Sequence, residues 1–62
     1  MATYNVIVKE EKDWDDLMES FPKGEVDEKF SKLDWNIKVP HEDEDRLNEY
    51  CEDKSFECEF VD

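Results

Sequence analysis

Glu25-Val26-Asp27-Glu28-Lys29-Phe30-Ser31-Lys32-Leu33-Asp34-Trp35-Asn36-Ile37-Lys38-Val39 holds two hydrophobic periods in one run of chain. Val26, Phe30 and Leu33 fall at i, i+4 and i+7, the spacing of one helical face, which predicts a helix over about 25–33. Glu25 with Lys29, and Glu28 with Lys32, stand four apart and add i, i+4 support. From Trp35 the period becomes two. Trp35, Ile37 and Val39 alternate with Asn36 and Lys38, so a short strand over 35–39 is expected, ended by Pro40. A helix feeding this strand makes the middle of the chain α-then-β.

Upstream, Ala2 to Lys9 is rich in β-branched residues and reads as a strand with Tyr4, Val6 and Val8 on one face. Trp14, Leu17, Met18 and Phe21 then follow an i, i+3, i+4, i+7 pattern. Asp13 is the expected N-cap of that helix, and Pro22-Lys23-Gly24 its stop. Downstream, Leu47, Tyr50 and Cys51 form a narrow apolar stripe, predicting a helix over about 42–53. Phe56, Cys58 and Phe60 alternate with Glu57 and Glu59 in a closing strand over 55–61, with the aromatics expected to point inward.

The predicted order is β-α-α-β-α-β in one α+β domain spanning residues 1–62. Two helices between the first and second strands return the chain. The simplest sheet is therefore three-stranded, with the first strand central and antiparallel to both neighbours. The helices are expected on one face, with Trp14, Leu17, Phe21, Phe30, Leu33 and Leu47 directed inward.

Twenty Asp or Glu stand against eight Lys or Arg, a formal charge of -12 on 62 residues. That exceeds the magnitude of about 2–8 usual for a small domain. Direct binding to nucleic acid or to an anionic membrane is disfavoured, since both are negative. The longest uninterrupted run of aliphatic residues is Val6-Ile7-Val8, far short of the ~20 residues of a membrane helix. The first residues also lack the basic start and apolar stretch of a signal peptide, so a cytoplasmic location is expected. Eight aromatics at regular spacing argue for folding despite the charge. The two cysteines, Cys51 and Cys58, are expected as reduced, packed thiols.

Catalytic and metal chemistry find little support. His41 opens His-Glu-Asp-Glu-Asp but has no second histidine four residues on, as a zinc-protease helix requires. The acidic runs 13–16 and 42–45 do not continue into the alternating ligands and central glycine of a calcium loop. Gly24 is the only glycine, which excludes a glycine-rich phosphate loop. The expectation is a non-enzyme without cofactor or metal.

The acids themselves carry the functional signal. Glu42, Asp45, Glu49 and Glu52 fall at i, i+3, i+7 and i+10 on the third predicted helix, with Asp53 beside them. Glu11, Asp15 and Glu19 fall at i, i+4 and i+8 along the first. At 1.5 Å rise per residue the steps are about 4.5–6 Å. Phosphates on one DNA strand advance about 3.4 Å per nucleotide along the helix axis. A rigid row of carboxylates therefore presents charge at a comparable density. A merely solvated helix would mix its signs, as the predicted second helix does.

In size, charge and carboxylate rows, the whole chain resembles the small acidic DNA-mimic inhibitors of phages and mobile elements, the anti-restriction and anti-CRISPR proteins. The resemblance rests on no alignable motif, and that class shares no common fold. It implies a stoichiometric inhibitor occupying the electropositive nucleic-acid groove of a host or defence protein. The partner is then a basic protein surface, such as a nucleic-acid-binding protein or nuclease. Two other functions fit the same composition. One is an antitoxin-like inhibitor of a basic toxin or ribonuclease, using aromatics such as Tyr4 or Trp35 in a shape-specific interface. The other is an acidic accessory domain that binds cationic peptides.

Overall fold

A computed structural model describes all 62 residues as a four-stranded antiparallel sheet with two helices. The elements are β1 (Ala2–Ile7), α1 (Asp13–Ser20), β2 (Glu25–Lys29), β3 (Asp34–Val39), α2 (Glu44–Lys54) and β4 (Glu57–Phe60). A single 3-10 turn, His41–Asp43, leads into α2. The order along the chain is therefore β-α-β-β-α-β, and across the sheet it is β2-β3-β1-β4. This is the split β-α-β plan of ferredoxin-like domains.

The expected α+β class holds, but the three-stranded sheet and the helix over 25–33 do not. Residues 25–29 form an edge strand that hairpins onto β3, with Val26 opposite Ile37 and Lys29 opposite Trp35. The reason is physical. A helix of nine residues is too short to stand on its own hydrogen bonds and needs a buried face. Val26 and Phe30 have none here, being 40% and 55% exposed. As a strand, the same residues satisfy the outer edge of β3, which would otherwise leave a row of bare N–H and C=O groups. The turn closes through Phe30 N–H and Ser31 N–H, both donating to Asp34 O at 2.9 and 3.2 Å.

The sheet now has two inner strands, β3 and β1. β1 pairs antiparallel with β3 (Tyr4 opposite Ile37) and with β4 (Tyr4 opposite Phe60). Its even-numbered side chains, Ala2, Tyr4, Val6 and Val8, share a face with Ile37 and Val39, and all are buried. Trp14, Leu17 and Phe21 from α1 and its exit, with Leu47 and Cys51 from α2, close over that face. Phe30 is not among them and Leu33 only packs at the margin, so the expected inward set loses one member and weakens at another. The expected inward Phe60 lies on the core side of β4, against the Tyr4 ring, yet is 60% exposed.

Trp14 and Trp35 stack in parallel with ring centroids 4.0 Å apart. Their indole N–H groups donate to Lys32 O (2.8 Å) and Ser31 O (3.0 Å). The pair thereby ties α1 to the β2–β3 turn with each buried polar edge satisfied. Asp13 is the first helical residue rather than the N-cap. Its carboxylate turns back to accept the Lys9 and Glu10 N–H groups at 3.2 and 2.8 Å.

Candidate partner-binding surface

Both helices lie on the same face of the sheet, so their outward sides form one layer. α1 carries Asp13, Asp15, Asp16 and Glu19 with no base. α2 carries Glu44, Asp45, Glu49, Glu52 and Asp53 with Arg46 and Lys54. Arg46 is already engaged. Its Nη1 donates to the buried Asp43 carboxylate at 3.0 Å, its Nη2 donates to Ser20 O at 3.3 Å, and its guanidinium lies over the Phe21 ring. It joins the helices and leaves no free cation in the middle of the layer.

The structure separates the eight sequence-predicted residues into two groups. Asp15 and Glu19 on α1, and Asp45, Glu49, Glu52 and Asp53 on α2, are exposed and have no basic partner within ion-pair distance. Glu42 and Glu11 differ from them in having a lysine partner, so neither is an unpaired member of its row. Glu42 sits in the 3-10 turn and pairs with Lys23 at 2.9 Å, which holds its carboxyl below the ordinary carboxylate range. Glu11 sits in the turn before α1 and pairs with Lys32 at 3.6 Å. Both stand in tightened i→i+3 turns that lead into the helices, and each is neutralised by a lysine from another part of the chain.

On α2 the surviving row, Asp45, Glu49 and Glu52, lies opposite Leu47 and Cys51 and steps by about 6 and 4.5 Å along the axis. Asp53 flanks a shallow groove of about 360 Å³ between the helices, which Ser20, Phe21, Arg46, Glu49 and Tyr50 also line. Asp16 and Asp13 lie close enough to the Tyr50 hydroxyl to affect its ionisation. Burial first, and those two carboxylates second, push that hydroxyl's pKa up. Asp13 and Asp16 are thus members of the acidic layer that sequence reasoning missed. Their signal was present, since neither has a lysine at i+4, but only the docking of α1 on α2 brings their charge to bear on Tyr50.

The uncovered face of the sheet is acidic too. Glu25, Glu28, Asp34, Glu57 and Glu59 point there from three strands, with Lys38 the one base. Asn5 bridges the middle, donating to Asp34 Oδ1 at 2.6 Å and Asn36 Oδ1 at 3.0 Å.

Of the aromatics considered for a shape-specific interface, neither is free. Tyr4 is buried, and its hydroxyl donates to Glu44 Oε1 at 2.7 Å. That bond and burial raise its pKa, while His41 and then Tyr4 hold the Glu44 carboxyl down. Trp35 is covered by Trp14 on one side and by Lys29 at 4.4 Å on the other. The large apolar groups that reach solvent are Met1, Val26, Phe30, Phe60 and Val61.

Cys51 and Cys58 are free thiols, one buried and one half-buried, and the Cys58 thiol donates to Asn48 Oδ1 at 3.6 Å. No three of the His, Cys, Asp and Glu side chains converge to hold a metal ion, and no helix is long and apolar enough to cross a membrane.

The chain matches no family model, no curated protein and no solved structure. The functional reading therefore stands on this surface alone, since a fold plan shared by many activities specifies none of them.

Proposed function

We propose that this chain is a stoichiometric inhibitor that lays its helical layer into an electropositive, nucleic-acid-binding groove of a host or defence protein. The observation that carries the proposal is the unpaired row on α2. Asp45, Glu49 and Glu52 repel one another across a single helix face while no base answers them. Glu49, Glu52 and Asp53 also stand in the half of the helix where its dipole disfavours negative charge. Positions that cost stability in the free protein are accounted for if a basic partner relieves them. Asp15, Asp16 and Glu19 on α1 extend the same surface. The groove between the helices gives it relief comparable to a grooved polyanion.

Occupation excludes nucleic acid by competition, with no chemistry on the target. Long-range attraction makes association fast and salt-sensitive. If the chain is phage-encoded, the site of action is the host cytoplasm.

The test is capture from a host lysate on the immobilised chain at low salt, followed by elution with duplex DNA and, separately, with high salt. The expected result is a nucleic-acid-binding protein released by both. The triple variant Asp45→Lys, Glu49→Lys, Glu52→Lys should retain its fold and capture at least about tenfold less, a loss of ~1.4 kcal/mol or more in binding. Capture that survives high salt and DNA, or that the triple variant reproduces, overturns the proposal.

A further inference from the structure

The two edges of the sheet are built differently. β2 is blunted: its register shifts between Val26 and Glu28, and Lys29 folds over Trp35. Bulges and lysines are the usual devices that stop an edge from pairing with another chain. β4 has neither. It runs from Glu57 to Phe60 without a register shift against β1, contains no lysine or proline, and nothing in the fold covers its outer side. Val61 N–H donates inward to Thr3 O at 2.8 Å. Antiparallel alternation then turns the N–H and C=O groups of Cys58 and Phe60 outward. Phe60, 60% exposed, stands beside them against the Tyr4 ring at 5.5 Å.

We infer that the β4 edge is a docking site for an extended, basic strand of a partner protein, which adds to the sheet as a fifth strand. Main-chain bonds to Cys58 and Phe60 set the register. Phe60 gives one apolar contact on the helix side, and Glu57 and Glu59 on the open side face lysine or arginine of the incoming strand. Charge complementarity selects this occupant over a second copy of the chain. Pairing β4 with β4 of another molecule about a two-fold axis normal to the sheet keeps Glu57 and Glu59 of both copies on one face. Like charges then meet across the junction, which is destabilising. The site is separate from the helical layer, and its test reads different residues.

The probe is a synthetic octapeptide alternating lysine and valine, titrated into the intact chain while backbone amide shifts and amide exchange are followed. The expected result is that the Cys58 and Phe60 amides move and exchange more slowly, while those of Asp45, Glu49 and Glu52 stay in place. A peptide of the same composition with its lysines and valines in two blocks cannot set all its lysines on one face of the strand, and should bind at least about fivefold more weakly. Phe60→Pro removes an outward N–H without touching the bonds to β1, and should lower affinity by a similar factor. The pair Glu57→Lys and Glu59→Lys keeps every N–H and should abolish binding, whatever the proline does to the fold. Three results overturn the inference. They are shifts confined to α2, equal binding of the two peptides, and concentration-dependent self-association through the Cys58 and Phe60 amides.

Discussion

Cys51 and Cys58 flank the corner where α2 hands the chain to β4, and unequal burial and each other's proximity set them apart chemically. The neighbouring Cys58 thiol and burial push the Cys51 thiol up, whereas the neighbouring Cys51 draws Cys58 down. Because the thiolate is the nucleophile, Cys58 should alkylate well before Cys51 under native conditions. Peptide mapping after limited iodoacetamide treatment checks this, and equal labelling of both sites contradicts it. Tyr4 and Tyr50 also carry a pH signature. Both have folded-state pKa values above the ordinary 10.0, Tyr4 through its bond to Glu44 and Tyr50 through burial. Their contribution to stability is complete below pH 10 and is lost as pH rises through the folded values. Tyrosinate absorbance should therefore titrate late and together with unfolding on the alkaline side. In the core, Leu47→Ala empties a fully buried position between α2 and the sheet and should cost about 2–5 kcal/mol in urea denaturation. For a domain this small, that approaches the whole of its stability.

At the level of elements, α2 ends on a strained residue. Ser55 has φ 61 and ψ 34, the left-handed conformation that favours glycine, and its N–H closes the helix onto Cys51 O and Glu52 O. Ser55→Gly should relieve that strain and stabilise the chain by about 0.5–1 kcal/mol, measured as a higher urea midpoint. The acidic rows give a second prediction with opposite signs in two assays. Glu52→Lys places a cation near the helix C-terminus and breaks a like-charge row, so stability should rise by about 0.3–1 kcal/mol. Partner capture should fall in the same variant. A row that was only a solvated surface would show the first change without the second. The elements also mark how far one-dimensional patterns extend. Alternation over 35–39 and 55–61 marked the strands found at 34–39 and 57–60, and the 3.6-residue period marked α1 and α2, because those elements bury a face whose spacing is written locally. β2 buries no face: all five of its residues are exposed, so no local pattern distinguished it from a helix with two Glu–Lys pairs.

Over the whole molecule, charge and compactness oppose each other. A net charge of -12 is carried by a body of 26 × 22 × 19 Å with acids on both the helical layer and the open sheet. Salt screens exposed charges at separations beyond about 10 Å at 0.1 M. Added salt should thus raise the unfolding midpoint of the free chain while weakening its capture of a basic partner by roughly tenfold or more. Two measurements moving in opposite directions with one variable are hard to obtain from a neutral, shape-driven interface. If capture were independent of salt while stability rose, the carboxylates would be solvating groups and not contacts.

Composition and periodicity by themselves determined the α+β class, the two amphipathic helices, three of the four strands, the sign of the surface and the α2 row of Asp45, Glu49 and Glu52. Each of these follows from intervals of two, three or four residues, over which side chains on one element share a face. The tertiary structure decided the rest. It recruited residues 25–29 as a strand, because the bonds that hold an edge strand come from its neighbour and leave no mark in its own sequence. It paired Glu42 with Lys23 and Glu11 with Lys32, so that neither is an unpaired acid, and set Asp16 and Asp13 of α1 where their charge raises the Tyr50 pKa. It also left Phe60 exposed on the β4 edge, where an inward side chain was expected.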